Sequence, residues 1–207
     1  SGTSAIMVGG STFFSSAHLN DVVKAVKRTV NIPIILFPNN VTGISRYADA
    51  MWFMSLLNSA DPYFLIGAQV LGAPMIKKYR LEPIPMGYII VGEGGSASVV
   101  GKAVPVPYTK PELAVAHALA GQYLGMRFIY LEAGSGAKKP VPPEMIRAVK
   151  NHVDVPLIVG GGIKSRSQAL AAASAGADVI VTGNVIENAE VKSKVAEIVD
   201  GIKHCRT

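Results

Sequence analysis

Glu132 stands at the end of an apolar run, Phe128-Ile129-Tyr130-Leu131, and just ahead of Ala133-Gly134-Ser135-Gly136. A run rich in β-branched and aromatic residues reads as a buried strand, and a carboxylate placed there is costly to bury without a partner or a purpose. The glycines that follow let backbone N–H groups come close to an oxyanion. A base beside an anion cradle points to an enzyme that takes a proton from a substrate held by its phosphate.

Other residues compete for that role. Asp61, Glu93 and Glu187 also follow apolar runs. Asp61 precedes Pro62 and reads equally as a helix initiator, Glu93 lies in a glycine-rich loop open to solvation, and Glu187 lies past Val185-Ile186. His18, His117, His152 and His204 fall away from strand ends, and no lysine falls inside a strand, so histidine acid–base and Schiff-base chemistry are disfavoured. His/Cys zinc spacing is absent. A hard cation such as Mg²⁺ needs only one or two protein oxygens beside phosphates, and Ser11, after Gly9-Gly10, is a candidate ligand.

The elements that position these residues alternate. Strands are predicted at Ala5–Val8, Pro33–Phe37, Ala50–Leu57, Met86–Val91, Arg127–Leu131, Pro156–Val159 and Asp178–Val181. Helices are predicted at Ala17–Val30, Tyr63–Tyr79 with a kink near Gly72-Ala73-Pro74, Pro111–Leu124, Pro143–Val153, Ser165–Ala175 with Ser165 as N-cap, and Val191–His204. Residues 96–109 read as a long loop. Apolar strands alternating with amphipathic helices imply a parallel sheet covered by helices. Ser1–Ser11 echoes Ala175–Asn184, where a helix precedes the small-residue turn, so one β-strand and one helix are expected ahead of Ser1. The expected fold is a (β/α)₈ TIM barrel lacking that first strand and helix, as one domain over 1–207. A doubly wound sheet is the alternative, but small-residue loops follow several strands here rather than one.

In such a barrel the loops after the last two strands often bind phosphate. Gly160-Gly161-Gly162-Ile163 and Gly183-Asn184 occupy those places. Tight turns need glycine in any case; it is the pair on successive strands that favours a phosphate cradle.

Composition narrows the classes. The chain has 207 residues, 16% of them charged, a globular composition with a net charge of +6. That charge suits anionic small substrates as well as plain solubility, and no Lys/Arg run is dense enough for nucleic acid. One cysteine, Cys205, excludes a disulfide framework. Pro, Gly and charges interrupt every apolar run before membrane-spanning length, and a cytoplasmic protein is expected.

Tyr130–Gly136, the Gly160–Ile163 turn with Ser165-Arg166, and Gly183-Asn184-Val185-Ile186 together resemble the geranylgeranylglyceryl phosphate synthases, archaeal prenyltransferases that form the first ether link of membrane lipids. Met7–Ser11 and Leu57–Asp61 also look like segments of that family. The resemblance implies a (β/α)₈ barrel that joins sn-glycerol 1-phosphate to geranylgeranyl diphosphate with Mg²⁺ and releases diphosphate. Carried over by position, Tyr130, Leu131, Glu132, Ala133, Gly134, Ser135, Gly136, Gly161, Gly162, Gly183 and Asn184 would hold glycerol 1-phosphate. Glu132 would take the proton of the C3 hydroxyl, and Ser11 would help bind Mg²⁺. Related bacterial heptaprenylglyceryl phosphate synthases usually carry a Tyr-Ser-Gly form of the central loop. Ala133-Gly134-Ser135-Gly136 resembles the archaeal form and the subgroup that often forms hexamers, so a homo-oligomer, hexamer or dimer, is implied.

The family's first strand carries a metal-binding aspartate, and no residue here takes its place. Phe13, Phe14, Trp52, Tyr63, Phe64 and Tyr88 could line a hydrocarbon trough, and each taken singly reads more readily as core. The lipid product implies proximity to a membrane surface. Two competing readings remain. A phosphosugar isomerase or lyase barrel would need a second acid–base group opposite Glu132. A catalytically silent barrel would bind a phosphate ligand without turnover.

Overall fold

The computed structural model describes residues 2–10, 15–187 and 190–205. Ser11, Phe13 and Phe14 lie outside them, as does the side chain of Glu187. Along the described residues there are seven strands, with helix between successive strands everywhere but from Phe37 to Ala50, and the strand pairings inside each of two compact units are parallel.

The smaller unit spans Ser4–Ser55 and Pro62–Pro85. It holds β1 (Ile6–Gly9), β2 (Ile34–Phe37), all but the last residue of β3 (Ala50–Leu56), α1 (Ser16–Lys27) and α2 (Ala68–Tyr79). In α1, Ser15 caps the N-terminus by accepting from the His18 N–H, and Lys24 and Lys27 occupy the last turn, where the helix dipole favours cations. Leu19 and Val23 are one turn apart, so both reach the core formed by Ile34, Leu36, Met51 and Ile76.

The helix predicted at Tyr63–Tyr79 is present, but its irregularity is not at Pro74. It is a π-helical turn, Tyr63–Gly67, ahead of α2, and Pro74 lies inside α2. A π turn displaces carbonyls from their usual partners. Here the Gln69 amide donates to the Phe64 carbonyl and also to the Met54 carbonyl.

The larger unit takes in Leu56–Asp61 and Met86–Thr207. It holds the end of β4 (Glu82–Ile90), then β5 (Phe128–Glu132), β6 (Leu157–Gly160) and β7 (Val179–Val181). Its helices are α3 (Gly95–Val100), α4 (Pro111–Tyr123), α5 (Pro143–Lys150), α6 (Arg166–Ser174) and α7 (Val191–Lys203). Proline begins α4 and α5, where its missing N–H costs nothing, and Ser165 caps α6 as predicted by accepting from the Gln168 N–H.

Strand period 2 divides the residues of this sheet. Ile89, Ile129, Leu131, Leu157 and Val159 face the helices and pack with Ala114, Ala118, Met145, Ile146 and Val149. Burial of each large aliphatic side chain contributes about 1.5–3 kcal/mol. The alternate positions Tyr88, Ile90, Tyr130, Glu132, Ile158 and Gly160 share the opposite face, and the register sets Tyr88 beside Tyr130, Ile90 beside Glu132, and Glu132 beside Gly160.

The loop predicted for 96–109 is partly helix. Gly95–Val100 forms α3, and at its C-cap, Gly101, a Cβ would lie 2.4 Å from the Leu56 side chain. Its composition of Gly, Ser, Ala and Val has no apolar period to reveal it. The rest of the segment is tied down by Asn58. Its side-chain amide donates to the Ile90 and Val104 carbonyls, both at 2.8 Å, and its carbonyl oxygen accepts from the Ile90 N–H at 3.1 Å.

Candidate active site

The last residue of β5 is Glu132, and its side chain is 8% exposed. Its neighbours on the same face are the apolar Ile90 and Ile158, the phenols of Tyr88 and Tyr130, and Gly160. Burial pushes the Glu132 carboxyl above its ordinary value. Hydrogen bonds from the Gly134 N–H, Tyr130 and Tyr88 act in the opposite direction, because each donor favours the charged form. The Gly134 N–H lies 2.7 Å from Oε1. The result is a carboxylate removed from bulk water yet furnished with donors, and its affinity for a proton is raised, as a general base requires.

The two tyrosines are themselves constrained. Their rings pack edge to face, with centroids 5.2 Å apart at 84°. Burial, then the nearby carboxylate, holds both phenols well above the usual range, so they remain protonated donors. Tyr130 fits because Gly160 has no side chain: a Cβ there would lie 2.0 Å from the Tyr130 hydroxyl. Gly161 is needed for two reasons. Its φ of +84° is disfavoured for other residues, and a Cβ would lie 2.6 Å from Glu132 Oε1 and 2.7 Å from the Gly134 nitrogen.

Four strand-end loops of this unit meet around the carboxylate. The β4 and β5 loops abut at Gly94, Gly95 and Gly134, and the β5 and β6 loops abut at Gly134 and Gly161. The β5 and β7 loops meet where Ser135 Oγ lies 3.3 Å from Asn184 Oδ1. The β6 and β7 loops are joined by Thr182 Oγ1, which donates to the Ile163 carbonyl at 2.9 Å. Gly136 and Gly162 also take positive φ, and Gly183-Asn184 leads into a 3₁₀ turn, Asn184–Glu187. Lys138 and Lys139 are exposed on the β5 loop and add positive charge beside the glycines. The arrangement suits a small phosphorylated substrate with a hydroxyl directed to Glu132.

The predicted site residues therefore divide. Tyr130, Glu132, Gly134, Ser135, Gly161 and Asn184 come together through the contacts above. Leu131 and Ala133 belong to the helix-facing core, so only their main chains can face a ligand, and the Ala133 N–H is already donated to the Gly160 carbonyl. Ser11 lies outside the described residues. Among those residues no three His, Cys, Asp or Glu side chains converge to hold a metal ion.

Of the competing carboxylates, Asp61 is paired with Lys102 at 2.7 Å. Glu93 is exposed, and its charge raises the Tyr108 phenol after burial has done so. Of the proposed trough residues, Trp52 is buried in the smaller unit, and Tyr63 and Phe64 stack edge to face at 5.1 Å. Sequence reasoning did not place Tyr88 beside the carboxylate, nor Gly94 and Gly95 around it, and it read Gly160 only as part of the phosphate turn. The period-2 pairing of Tyr88 with Ile90 on the face opposite Gly87 and Ile89 was the available signal.

Known proteins resemble this chain in sequence and in fold. The chain is 58% identical to the geranylgeranylglyceryl phosphate synthase of Pyrococcus abyssi over 206 residues, 98% of this chain and 82% of that protein. It is 57% identical, with the same coverage, to the synthase of Thermococcus kodakarensis. The crystal structure of the Thermoplasma acidophilum (S)-3-O-geranylgeranylglyceryl phosphate synthase, in complex with its substrate sn-glycerol-1-phosphate, superposes with a TM-score of 0.96. The two are 41% identical, over 98% of this chain and 83% of that one. The Thermoplasma volcanium enzyme superposes with a TM-score of 0.95 at 43% identity, covering 98% of this chain and 82% of that one. Residues 1–202 match the PcrB family, and the chain belongs to that family.

Proposed function

We infer that the chain is a geranylgeranylglyceryl phosphate synthase, a prenyltransferase of ether-lipid synthesis that takes sn-glycerol 1-phosphate. The observation that carries this reading is the buried Glu132 carboxylate with its donors, set among glycine loops, in a chain 58% identical to such a synthase. The bound substrate of the Thermoplasma acidophilum enzyme supports the choice of glycerol phosphate.

The proposed second substrate is geranylgeranyl diphosphate. The C3 hydroxyl oxygen of the glycerol attacks C1 of the prenyl chain, and a C–O bond forms. The bond from C1 to diphosphate breaks, and diphosphate leaves with the electron pair. Glu132 accepts the hydroxyl proton. The chain's own contribution is to hold the phosphate in the glycine loops, orient the hydroxyl and keep a base desolvated beside it. Allylic C1 bears developing positive charge well, so orientation and leaving-group stabilisation lower the barrier together.

Mg²⁺ belongs to the proposal as an ion that arrives with the diphosphate, with Ser11 as a protein oxygen. It would neutralise diphosphate charge. The (β/α)₈ architecture as a single domain over 1–207, the hydrocarbon trough, homo-oligomeric assembly, a cytoplasmic location and proximity of the product to a membrane surface complete the reading as proposals. Among the described residues no helix is long and apolar enough to cross a membrane.

The test is turnover with geranylgeranyl diphosphate and Mg²⁺, comparing sn-glycerol 1-phosphate with sn-glycerol 3-phosphate, with and without a chelator. Product from the first alone, lost on chelation, is expected. Binding of glycerol phosphate without product under any condition would refute the synthase reading.

A further inference from the structure

We propose that Tyr88 is a positioning residue: its hydroxyl, delivered from β4, holds the Glu132 carboxylate in the orientation from which it takes a proton. The inference rests on the reading of Glu132 as the base.

The geometry leaves few other ways to fix this carboxylate. On its own strand Glu132 is held by Tyr130 two residues back and by the Gly134 N–H two residues on. Both belong to one short segment, which could carry the carboxylate with it as it moves. Tyr88 comes from the adjacent strand, in register with Tyr130, and is 6% exposed. The edge-to-face contact with Tyr130 fixes its ring, and the hydrogen bond to Glu132 then ties the carboxylate to a second strand. From β6 the facing residues are Ile158 and Gly160, which supply no donor side chain. Among the described residues the charged and titratable groups that face or act on Glu132 are Tyr88 from β4, Tyr130 from β5, and Tyr108 from the connection between α3 and α4. Tyr108 is itself committed, donating its hydroxyl to the Lys139 carbonyl at 3.0 Å. Glu93, exposed after β4, acts on Tyr108.

A residue that only filled space would keep its role in Tyr88→Phe, which preserves the ring and its stack. A positioning hydroxyl would not. Removing a donor from a carboxylate makes it easier to protonate, so the acid limb of the kcat profile in Tyr88→Phe should move to higher pH. A shift of about one pH unit corresponds to a tenfold change in the ionisation constant. The KM for sn-glycerol 1-phosphate should stay within about twofold, because uniform binding is untouched. Replacing Tyr88 with 3-fluorotyrosine, a stronger donor of nearly the same size, should move the limb the other way.

The carboxyl of Glu132 can also be followed directly by ¹³C NMR titration of the ligand-free protein, which needs no turnover. Shifts of opposite sign in the two variants, in the titration and in the rate profile, are expected. Shifts in the titration but not in the rate profile would uphold the positioning role and overturn Glu132 as the base. An unmoved titration in a folded Tyr88→Phe protein would overturn the proposal, and so would an unmoved titration with 3-fluorotyrosine should Tyr88→Phe fail to fold.

Discussion

Replacing Gly160 with alanine should disable the protein through Tyr130 rather than through the glycine turn. The added methyl would lie 2.0 Å from the Tyr130 hydroxyl oxygen, 2.8 Å from Cζ and 2.9 Å from Cε2. Ordinary contact begins near 3.4 Å, so the phenol must retreat by about 1.4 Å. It has nowhere to go, being 2% exposed and stacked on Tyr88 at 5.2 Å. Overpacking of this kind costs about 1–3 kcal/mol. Displacing the hydroxyl from the Glu132 carboxylate costs about 1.5–3 kcal/mol more, as for other hydrogen bonds to charged groups. For a chain of this length each kcal/mol lowers the melting temperature by about 2–4 °C, so a fall on the order of 10 °C is expected.

The assay is a double-mutant cycle of Gly160→Ala and Tyr130→Phe, read by thermal unfolding and by turnover. Phenylalanine removes the atom at 2.0 Å but leaves Cζ at 2.8 Å, so relief is partial. The double variant should be more stable than the sum of the single effects predicts, by about 1 kcal/mol or more. Turnover should stay low in the double variant, because the hydroxyl is gone. Additive stabilities, or a Gly160→Ala protein that melts and turns over normally, would refute the reasoning.

Two further outcomes follow from the same region. Glu132→Gln should abolish turnover while glycerol phosphate binding, followed by calorimetry, is largely retained. It should also change the pH dependence of stability. The folded carboxyl holds its proton more tightly than the unfolded one, so the native protein loses stability as pH rises from the ordinary value of 4.5 through the raised one, and it stays less stable above. Glutamine removes that loss. The melting difference between variant and parent should therefore move in the variant's favour from pH 4 to pH 8, and an equal difference at the two would count against the buried-carboxylate account. Asn58→Ala removes the partner of the Ile90 N–H and of the Val104 carbonyl, and one of the two donors to the Ile90 carbonyl, which keeps the Val106 N–H. It should cost about 3 kcal/mol or more, seen as a lower urea midpoint with an unchanged slope; a variant within about 0.5 kcal/mol of the parent would contradict the clamp.

Much of this was legible in the sequence because the elements obey simple periods. The run ending at Glu132 is a strand because Ile129 and Leu131 must face helices, and the same alternation puts Tyr130 and Glu132 together on the other face. Ser165 was legible as a cap because its hydroxyl serves a donor only three residues away. The misses have physical reasons as well. α3 lacks an apolar period, and its C-cap glycine lies against Leu56, distant in sequence. The π turn at Tyr63–Gly67 leaves no pattern that separates it from an α-helix, whereas Pro74 suggested a break that the helix does not make. Tyr88 could not be assigned to the carboxylate, because register between strands is a tertiary fact. Ser135 and Asn184 were each legible as loop residues, but their meeting depends on how β5 and β7 sit across β6.

The contacts that build the site share a property with consequences for folding. Asn58 reaches Ile90 and Val104 across 32 and 46 residues, and Ser135 reaches Asn184 across 49. The helix caps at Ser15 and Ser165, by contrast, close over three residues. Closing a long loop must precede any reward from the contact it makes, so distant pairings form slowly and local ones quickly. Helical signal should therefore return early in refolding, and the ability to bind glycerol phosphate should return last. A chain caught between the two would carry its helices and lack its carboxylate pocket.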